Sequence, residues 1–429
     1  MAVPFIDLQR FEPGFLERWA EVSGSVTAET RFVGGPDVAR LEERLAELIG
    51  VPAVVGCANG TDALQLALRA VGVSSGDRVL IPDATFWATF EAVVNVGGRP
   101  VTVDIDPVDA QMDFDLFARA VDEQRPSAAV LVHLYGWGSS RIDDFRSFCR
   151  ERDLPLIEDG AQAYGVTWHG APLFREAQLA TVSFYPAKVL GACGDAGALV
   201  CGSQELADAV RLLGNHGRTS HYEHGVVGWN SRMAGLDAAY LDMALDRFEG
   251  RVASRRAAAV RYRAALADLG VSTLGPPDGY VENGYLSVAL LSPDRRMAVE
   301  GELNAAGVGF GNVYPGAISE QPGAAKHLAA HVGGDRAARL GRGVLNLPLF
   351  AHITDEEVAE VLHAMERALE VTDHLGARGP FDWGGAVRSV AVGSTPYVAS
   401  GGESAVPPGD GPGPVAGDAS GTGEARVAP

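Results

Sequence analysis

Over its first 160 residues the chain alternates short apolar runs, rich in branched residues, with longer stretches at helical spacing. Ala53-Val54-Val55-Gly56, Arg78 to Pro82, Pro100 to Ile105, Ala128 to Leu134 and Leu154 to Glu158 read as strands. Between them, Thr61 to Val71, Phe86 to Val96 and Asp143 to Arg152 read as helices; the first carries apolar positions at Leu64, Leu66, Ala67, Leu68 and Val71. This alternation predicts an α/β fold with a mainly parallel sheet covered by helices, whose ligand groups gather at the carboxyl ends of the strands. A long Arg-rich helical stretch, Ala234 to Leu269, reads as a connector. From Gly275 the texture turns α+β: strand-like Gly284 to Leu291, helix-like Arg296 to Ala306, strand-like Val344 to Leu347, and a closing helix from Thr354 to Leu369. Thr354-Asp355-Glu356-Glu357 gives that last helix a capping box. Beyond Gly376, Gly, Pro, Ser and Ala dominate, a composition that predicts disorder. The expected division is a large domain with its N-terminal segment over 1–250, a smaller α+β domain over 251–375, and a disordered tail over 376–429. There is no internal repeat.

Composition narrows the function. At 47% hydrophobic residues the chain can bury a sizeable core. A net charge of −20 argues against a nucleic-acid partner, which would need clustered Lys and Arg. Cys57, Cys149, Cys193 and Cys201 show neither a CxxC pairing nor metal-ligand spacing with His, so a reduced, cytoplasmic chain without a structural metal is expected. The N-terminus lacks the basic and apolar regions of a secretory signal, and no apolar run reaches membrane-spanning length.

Candidate chemistry begins with lysine usage. The chain has two lysines, Lys188 and Lys326; every other basic residue, His aside, is Arg. Arg cannot form a Schiff base. Lys188 follows Ser183-Phe184-Tyr185-Pro186-Ala187 and precedes the Gly-rich stretch Gly191 to Gly197, a setting that could present an amine to a carbonyl cofactor. Ala58-Asn59-Gly60-Thr61-Asp62 joins a strand to an amphipathic helix and could seat a phosphate on the helix N-terminus. Glu158-Asp159-Gly160-Ala161-Gln162 ends another strand; Asp159 could hold a protonated ring nitrogen and Gln162 a neighbouring phenolate oxygen. Thr85-Phe86-Trp87-Ala88-Thr89 offers an aromatic face for a flat ring. Singly, each motif also fits an ordinary cap, a solvated side chain or core packing. Together, a phosphate nest, a stacking ring, an acidic partner and a lone amine are what pyridoxal phosphate requires.

From Phe5 to about Leu369 the chain resembles the DegT/DnrJ/EryC1/StrS family, the sugar aminotransferase branch of fold-type I pyridoxal phosphate enzymes. The resemblance rests on Gly60-Thr61-Asp62-Ala63-Leu64, Thr85 to Thr89, Val103-Asp104-Ile105-Asp106, His133-Leu134-Tyr135-Gly136, Glu158 to Ala163, Ser183 to Lys188, Asn215-His216-Gly217 and Gly228-Trp229-Asn230-Ser231-Arg232-Met233. It implies a seven-stranded, mainly parallel sheet in a large cofactor-binding domain. It implies further that Lys188 forms the Schiff base, that Asp159 pairs with the ring nitrogen, and that Gln162 meets the ring oxygen. Gly60, Thr61 and Ser183 would bind the phosphate and Phe86 would stack on the ring. Asn230 would reach the phosphate of a neighbouring subunit, making a homodimer with shared active sites. Trp87, Tyr185, Arg232 and Tyr314 are the residues expected to face substrate. In Tyr314-Pro315-Gly316-Ala317-Ile318-Ser319-Glu320-Gln321-Pro322, Ser319 stands where the family often carries His.

The activity implied is transfer of an amino group, with L-glutamate as donor, to a ketone on a nucleotide-linked keto-deoxysugar in antibiotic or surface sugar biosynthesis. Alternatives are a keto-cyclitol acceptor, a sugar dehydratase on the same fold, and a non-catalytic regulatory member. Dehydratases of this type carry His in place of the Schiff-base lysine, so Lys188 argues against that reading.

Overall fold

In the computed structural model, which describes residues 2–375 and 381–382, the alternating pattern resolves into seven strands. These are β1 (Ala53–Cys57), β2 (Arg78–Pro82), β3 (Arg99–Val103), β4 (Ala128–Val132), β5 (Leu156–Asp159), β6 (Leu179–Ser183) and β7 (Gly197–Cys201). They form one sheet with an eighth strand from farther along the chain. A short α+β stretch follows, with β8 (Ser272–Leu274), β9 (Ser287–Leu290), β10 (Ala330–Val332) and β11 (Val344–Leu347). The large sheet runs β1-β7-β6-β5-β4-β2-β3-β10. From β6 to β10 every pairing is parallel, whereas β7 pairs antiparallel with both β1 and β6. Only β7 therefore runs against the rest, and the carboxyl ends of the others share one edge.

The expected seven-stranded sheet is one strand short. β10 joins the edge beyond β3 in parallel register, Ala330 opposite Val101. Three residues with His331 at their centre carry no apolar run. Pairing comes from tertiary hydrogen bonds instead: Ala329 N–H donates to Pro100 O at 2.7 Å, and His331 Nδ1 lies 3.0 Å from Thr102 Oγ1.

The central strands are buried on both faces, which explains their uninterrupted apolar sequences. Helices α1 (Phe15–Ala28) and α2 (Pro36–Ile49) precede the sheet; α3 (Gly60–Ala70), α4 (Trp87–Asn95), α5 (Phe114–Gln124) and α6 (Ile142–Glu151) cross between its strands, and α7 (Gln204–Gly214) follows β7. The stretch read as one connector is two helices, α8 (Gly235–Leu245) and α9 (Phe248–Asp268). The break at Asp246-Arg247 contains neither Gly nor Pro; Asp246 accepts from Arg44 Nη2 of α2 at 2.7 Å, a contact invisible to local pattern.

A second core joins Tyr262 and Leu266 of α9 to Leu345 and Leu347 of β11 and to Val358, Val361 and Met365 of α12 (Asp355–Val371). α10 (Pro293–Ala305) and α11 (Arg336–Gly343) complete this part, around the antiparallel sheet β8-β9-β11. Thr354 and Glu357 form the expected capping box on α12. Phe381 packs against the main core; the rest of the tail reading, 376–380 and 383–429, lies outside the described residues. No helix among the described residues is long and apolar enough to cross a membrane.

Candidate active site

The carboxyl ends of β4, β5 and β6 and the start of α3 surround a cavity of about 700 Å³. Gly60, Thr61, Phe86, Asp159, Gln162, Ser183, Tyr185, Lys188 and Tyr314 all line it. Asn59 caps α3 by accepting the Asp62 N–H at 2.8 Å on its side chain. With Asp62 N–H taken by that cap and Ala63 N–H by the Asn59 carbonyl, the first-turn N–H groups of Gly60 and Thr61, which the helix cannot satisfy internally, belong to residues that line the cavity. Gly60 is required by close approach: a Cβ there would lie 2.8 Å from Ser183 Cβ. The helix start and the strand end thus press together into one cradle.

Lys188 sits in the turn after β6, its N–H donating to Tyr185 O at 2.8 Å. The chain then doubles back so tightly that a Cβ on Gly191 would lie 2.3 Å from Pro186 O, which accounts for glycine after the lysine. The Lys188 amine donates to the Tyr285 hydroxyl at 3.1 Å.

Asp159 is the last residue of β5 and only 4% exposed. Its carboxylate accepts from Thr89 Oγ1 at 3.0 Å and from the Ala161 N–H at 3.1 Å, and Thr89 in turn pairs with Thr85. Burial raises its pKa; the Ala161 N–H, the Thr89 hydroxyl and the charge of Lys188 oppose that rise without cancelling it. An acid so short of partners favours a cation beside it.

Gln162 is held by both ends. Its Oε1 accepts the Tyr135 N–H at 2.6 Å and its Nε2 donates to the Tyr314 hydroxyl at 2.9 Å. The backbone bond fixes the amide with its nitrogen toward the cavity, as a donor. Burial holds the Tyr314 phenol well above its ordinary pKa, so the hydroxyl stays neutral. The Phe86 ring, 56% exposed, lies 5.6 Å from the Tyr314 ring.

Three of the sequence candidates lie elsewhere. Trp87 is not among the lining residues; its ring stacks on Phe90 at 4.7 Å. Asn230 and Arg232 are exposed outside the lining and bond to each other. Ser319, at the position where the family often has His, donates to Asp83 Oδ2 at 2.7 Å and is absent from the lining. Tyr285, Thr89, Arg255 and Asn283 were not visible as site residues in the sequence. Asn283 Nδ2 donates to the Gln162 and Tyr164 carbonyls, tying the segment that carries Tyr285 to the end of β5.

Residues 17–366 match the DegT/DnrJ/EryC1/StrS aminotransferase family. The chain belongs to this family. A Pseudomonas aeruginosa protein named UDP-2-acetamido-2-deoxy-3-oxo-D-glucuronate aminotransferase is 34% identical over 366 residues, covering 85% of this chain and 99% of its own length. A Streptomyces venezuelae dTDP-3-amino-3,4,6-trideoxy-alpha-D-glucose transaminase is 32% identical over 377 residues, with coverages of 86% and 97%. The crystal structure of a family aminotransferase from Brucella abortus superposes with a TM-score of 0.79 at 31% identity, over 85% of this chain and 98% of that one.

This aminotransferase uses pyridoxal 5′-phosphate. Its cavity fits the group on its own evidence. The α3 start and Ser183 form a cradle for a phosphate, and Gln162 presents a fixed donor. Asp159 is a buried acid in want of a cation, and Lys188 is an amine in the same space.

Proposed function

We propose that the enzyme moves the amino group of L-glutamate to a ketone on a nucleotide-linked keto-deoxysugar, in antibiotic or surface sugar biosynthesis in the cytoplasm. The carrying observation is the convergence of Lys188, Asp159 and the α3 start in one cavity. The named substrates of the two curated relatives support a nucleotide-linked keto-sugar as acceptor.

Bound pyridoxal phosphate supplies an electron sink for negative charge at the amino acid's α-carbon. The chain supplies position and proton transfer. The α3 N–H groups, Thr61 and Ser183 would hold the phosphate. Asp159 would set its charge against the ring nitrogen and keep it protonated, the Gln162 amide would donate to the ring oxygen, and Phe86 would cover the ring. The Lys188 amine, steered by the Tyr285 hydroxyl, takes the proton from the donor's α-carbon and returns a proton when the acceptor is aminated. Tyr185 and Tyr314 face the substrate side of the cavity.

Asn230 and Arg232 lie exposed and apart from the cavity, which supports their acting in a neighbouring subunit of a homodimer. The second core around α9, β11 and α12 supports a smaller C-terminal domain starting near residue 251. Holoenzyme mixed with L-glutamate should lose its yellow colour and release 2-oxoglutarate. The aminated form should then be reoxidised by nucleotide-linked keto-sugars but not by keto-cyclitols. Turnover with a keto-cyclitol alone would refute the acceptor. Mixed dimers of Lys188→Ala and Asn230→Ala chains should regain activity that neither variant shows alone.

A further inference from the structure

Among the described residues four arginines are buried: Arg146, Arg251, Arg255 and Arg295. Three have an acid. Arg146 grips Glu158, and Arg251 grips Glu12, each through the Nε–Nη2 edge at 2.7–2.9 Å; Arg295 has Asp373 at 3.8 Å. Arg255 has no carboxylate partner among the described residues. Its hydrogen bonds are two long ones from Nη1, to Gly284 O at 3.4 Å and Leu349 O at 3.3 Å. Nε is buried without a partner, and no hydrogen bond occupies Nη2. The edge that grips carboxylates in Arg146 and Arg251 is therefore unfilled in Arg255. Burial pushes the guanidinium pKa down to about 10, which leaves the group charged at neutral pH. A buried, uncompensated cation is costly, and backbone carbonyls at these distances return little of that cost.

The place of this cation is specific. Arg255 lines the same cavity as Lys188, and these two are the only Lys or Arg residues among its described lining. Gly284 packs so closely on Arg255 that a Cβ there would lie 2.7 Å from Arg255 Cβ, and the next residue, Tyr285, holds the Lys188 amine. The remaining charged lining residues, Asp62, Glu91, Asp159 and Asp195, are acids. Lys188 is occupied with the reacting carbon, so one guanidinium of the lining is left for an anionic group of the substrate.

We propose that Arg255 is the counter-charge for the α-carboxylate of the amino donor, an assignment that rests on the donor being an amino acid. The α-carboxylate is bonded to the carbon whose proton Lys188 moves, and one short segment links the two cations: the Gly284 carbonyl accepts from Arg255 and the Tyr285 hydroxyl accepts from the Lys188 amine. An Arg–carboxylate pair formed there satisfies a charge that the fold alone leaves unmatched.

The test is ligand binding to holoenzyme, followed by spectral titration. 2-Methylglutamate keeps the α-carboxylate but has no α-proton; 4-aminobutyrate has the same chain without the α-carboxylate. Arg255→Met should weaken 2-methylglutamate about 10–100-fold, the worth of a hydrogen-bonded charge, and leave 4-aminobutyrate within about 3-fold. Arg255→Lys should recover part of the loss. The apoenzyme of Arg255→Met should melt within about 2–4 °C of the parent or above it, because an unpaired charge has been removed. Equal loss for both ligands would place the contact on the other carboxylate and overturn the proposal. So would unchanged binding of 2-methylglutamate, or a loss confined to amination of the acceptor. If glutamate fails to bleach the parent, the donor in the proposed function is wrong, and 2-methylglutamate binding still decides the role of Arg255.

Discussion

Glu158 and Asp159 are neighbours on one strand, carry the same charge and are almost equally buried, yet their surroundings differ in kind. Strand alternation turns them to opposite sides. Glu158 meets Arg146 through two bonds, at 2.8 and 2.9 Å, and His133 Nε2 at 3.0 Å. Burial works to raise its carboxyl, but the Arg146 guanidinium and the His133 bond outweigh burial and hold it at about 2. Asp159 meets only a hydroxyl and an N–H, and burial wins. One acid is matched within the fold. The other is left short of positive charge, and it opens on the cavity. Buried charge that serves stability is thus separable from buried charge that serves chemistry by whether the protein supplies the partner.

Breaking the matched acid should have the largest effect on folding. Glu158→Gln leaves Arg146 buried without its counter-charge and should cost about 3–5 kcal/mol in denaturant unfolding. The pH dependence has a definite sign. The folded pKa of Glu158 lies below its ordinary 4.5, so its contribution is present above that value and fades as pH falls toward about 2. The variant's acid unfolding should lose that component. Asp159→Asn should do the reverse. Turnover should fall about 10²–10³-fold, as for removal of one preorganised electrostatic partner. The apoenzyme should be no less stable, because the folded pKa of Asp159 is raised and its ionised form is a burden on the fold as pH rises through that value. If Asp159→Asn destabilises apoenzyme as much as Glu158→Gln, the contrast fails. Tyr285→Phe removes one hydrogen bond to Lys188 and should lower turnover about 3–10-fold with little change in melting. The smallest effect belongs to Asn59→Ala, which deletes the α3 cap and should cost about 1 kcal/mol of stability, with weaker cofactor retention.

The same contrast explains what the sequence could disclose. Lys188, Asp159, Gln162 and Ser183 sit at or just beyond strand ends, where apolar runs stop at polar residues, so local pattern exposes them. Phe86 and Trp87 are adjacent aromatics at a helix start; pattern cannot separate them, whereas the structure puts Phe86 in the cavity lining and packs Trp87 on Phe90. Tyr285 reaches Lys188 across 97 residues, and Arg255 enters from the middle of α9, where its neighbours look like any Arg-rich helix. Tyr285 is marked by a partner distant in sequence and Arg255 by the carboxylate it lacks among the described residues, and both are tertiary facts. The fold divides in the same way. Parallel strands buried on both faces are legible, whereas β10 and the break between α8 and α9 are created by contacts with distant segments.

The most direct measurement of the central claim is release of 2-oxoglutarate in a single turnover when holoenzyme is mixed with L-glutamate, compared between the parent and Lys188→Ala. The parent should release one 2-oxoglutarate per active site, and Lys188→Ala should be slower by at least ~10⁴-fold, the upper range for a positioned proton-transfer group, with unchanged melting. Release from Lys188→Ala at the parent's rate would contradict the assignment of this cavity to amino transfer through Lys188.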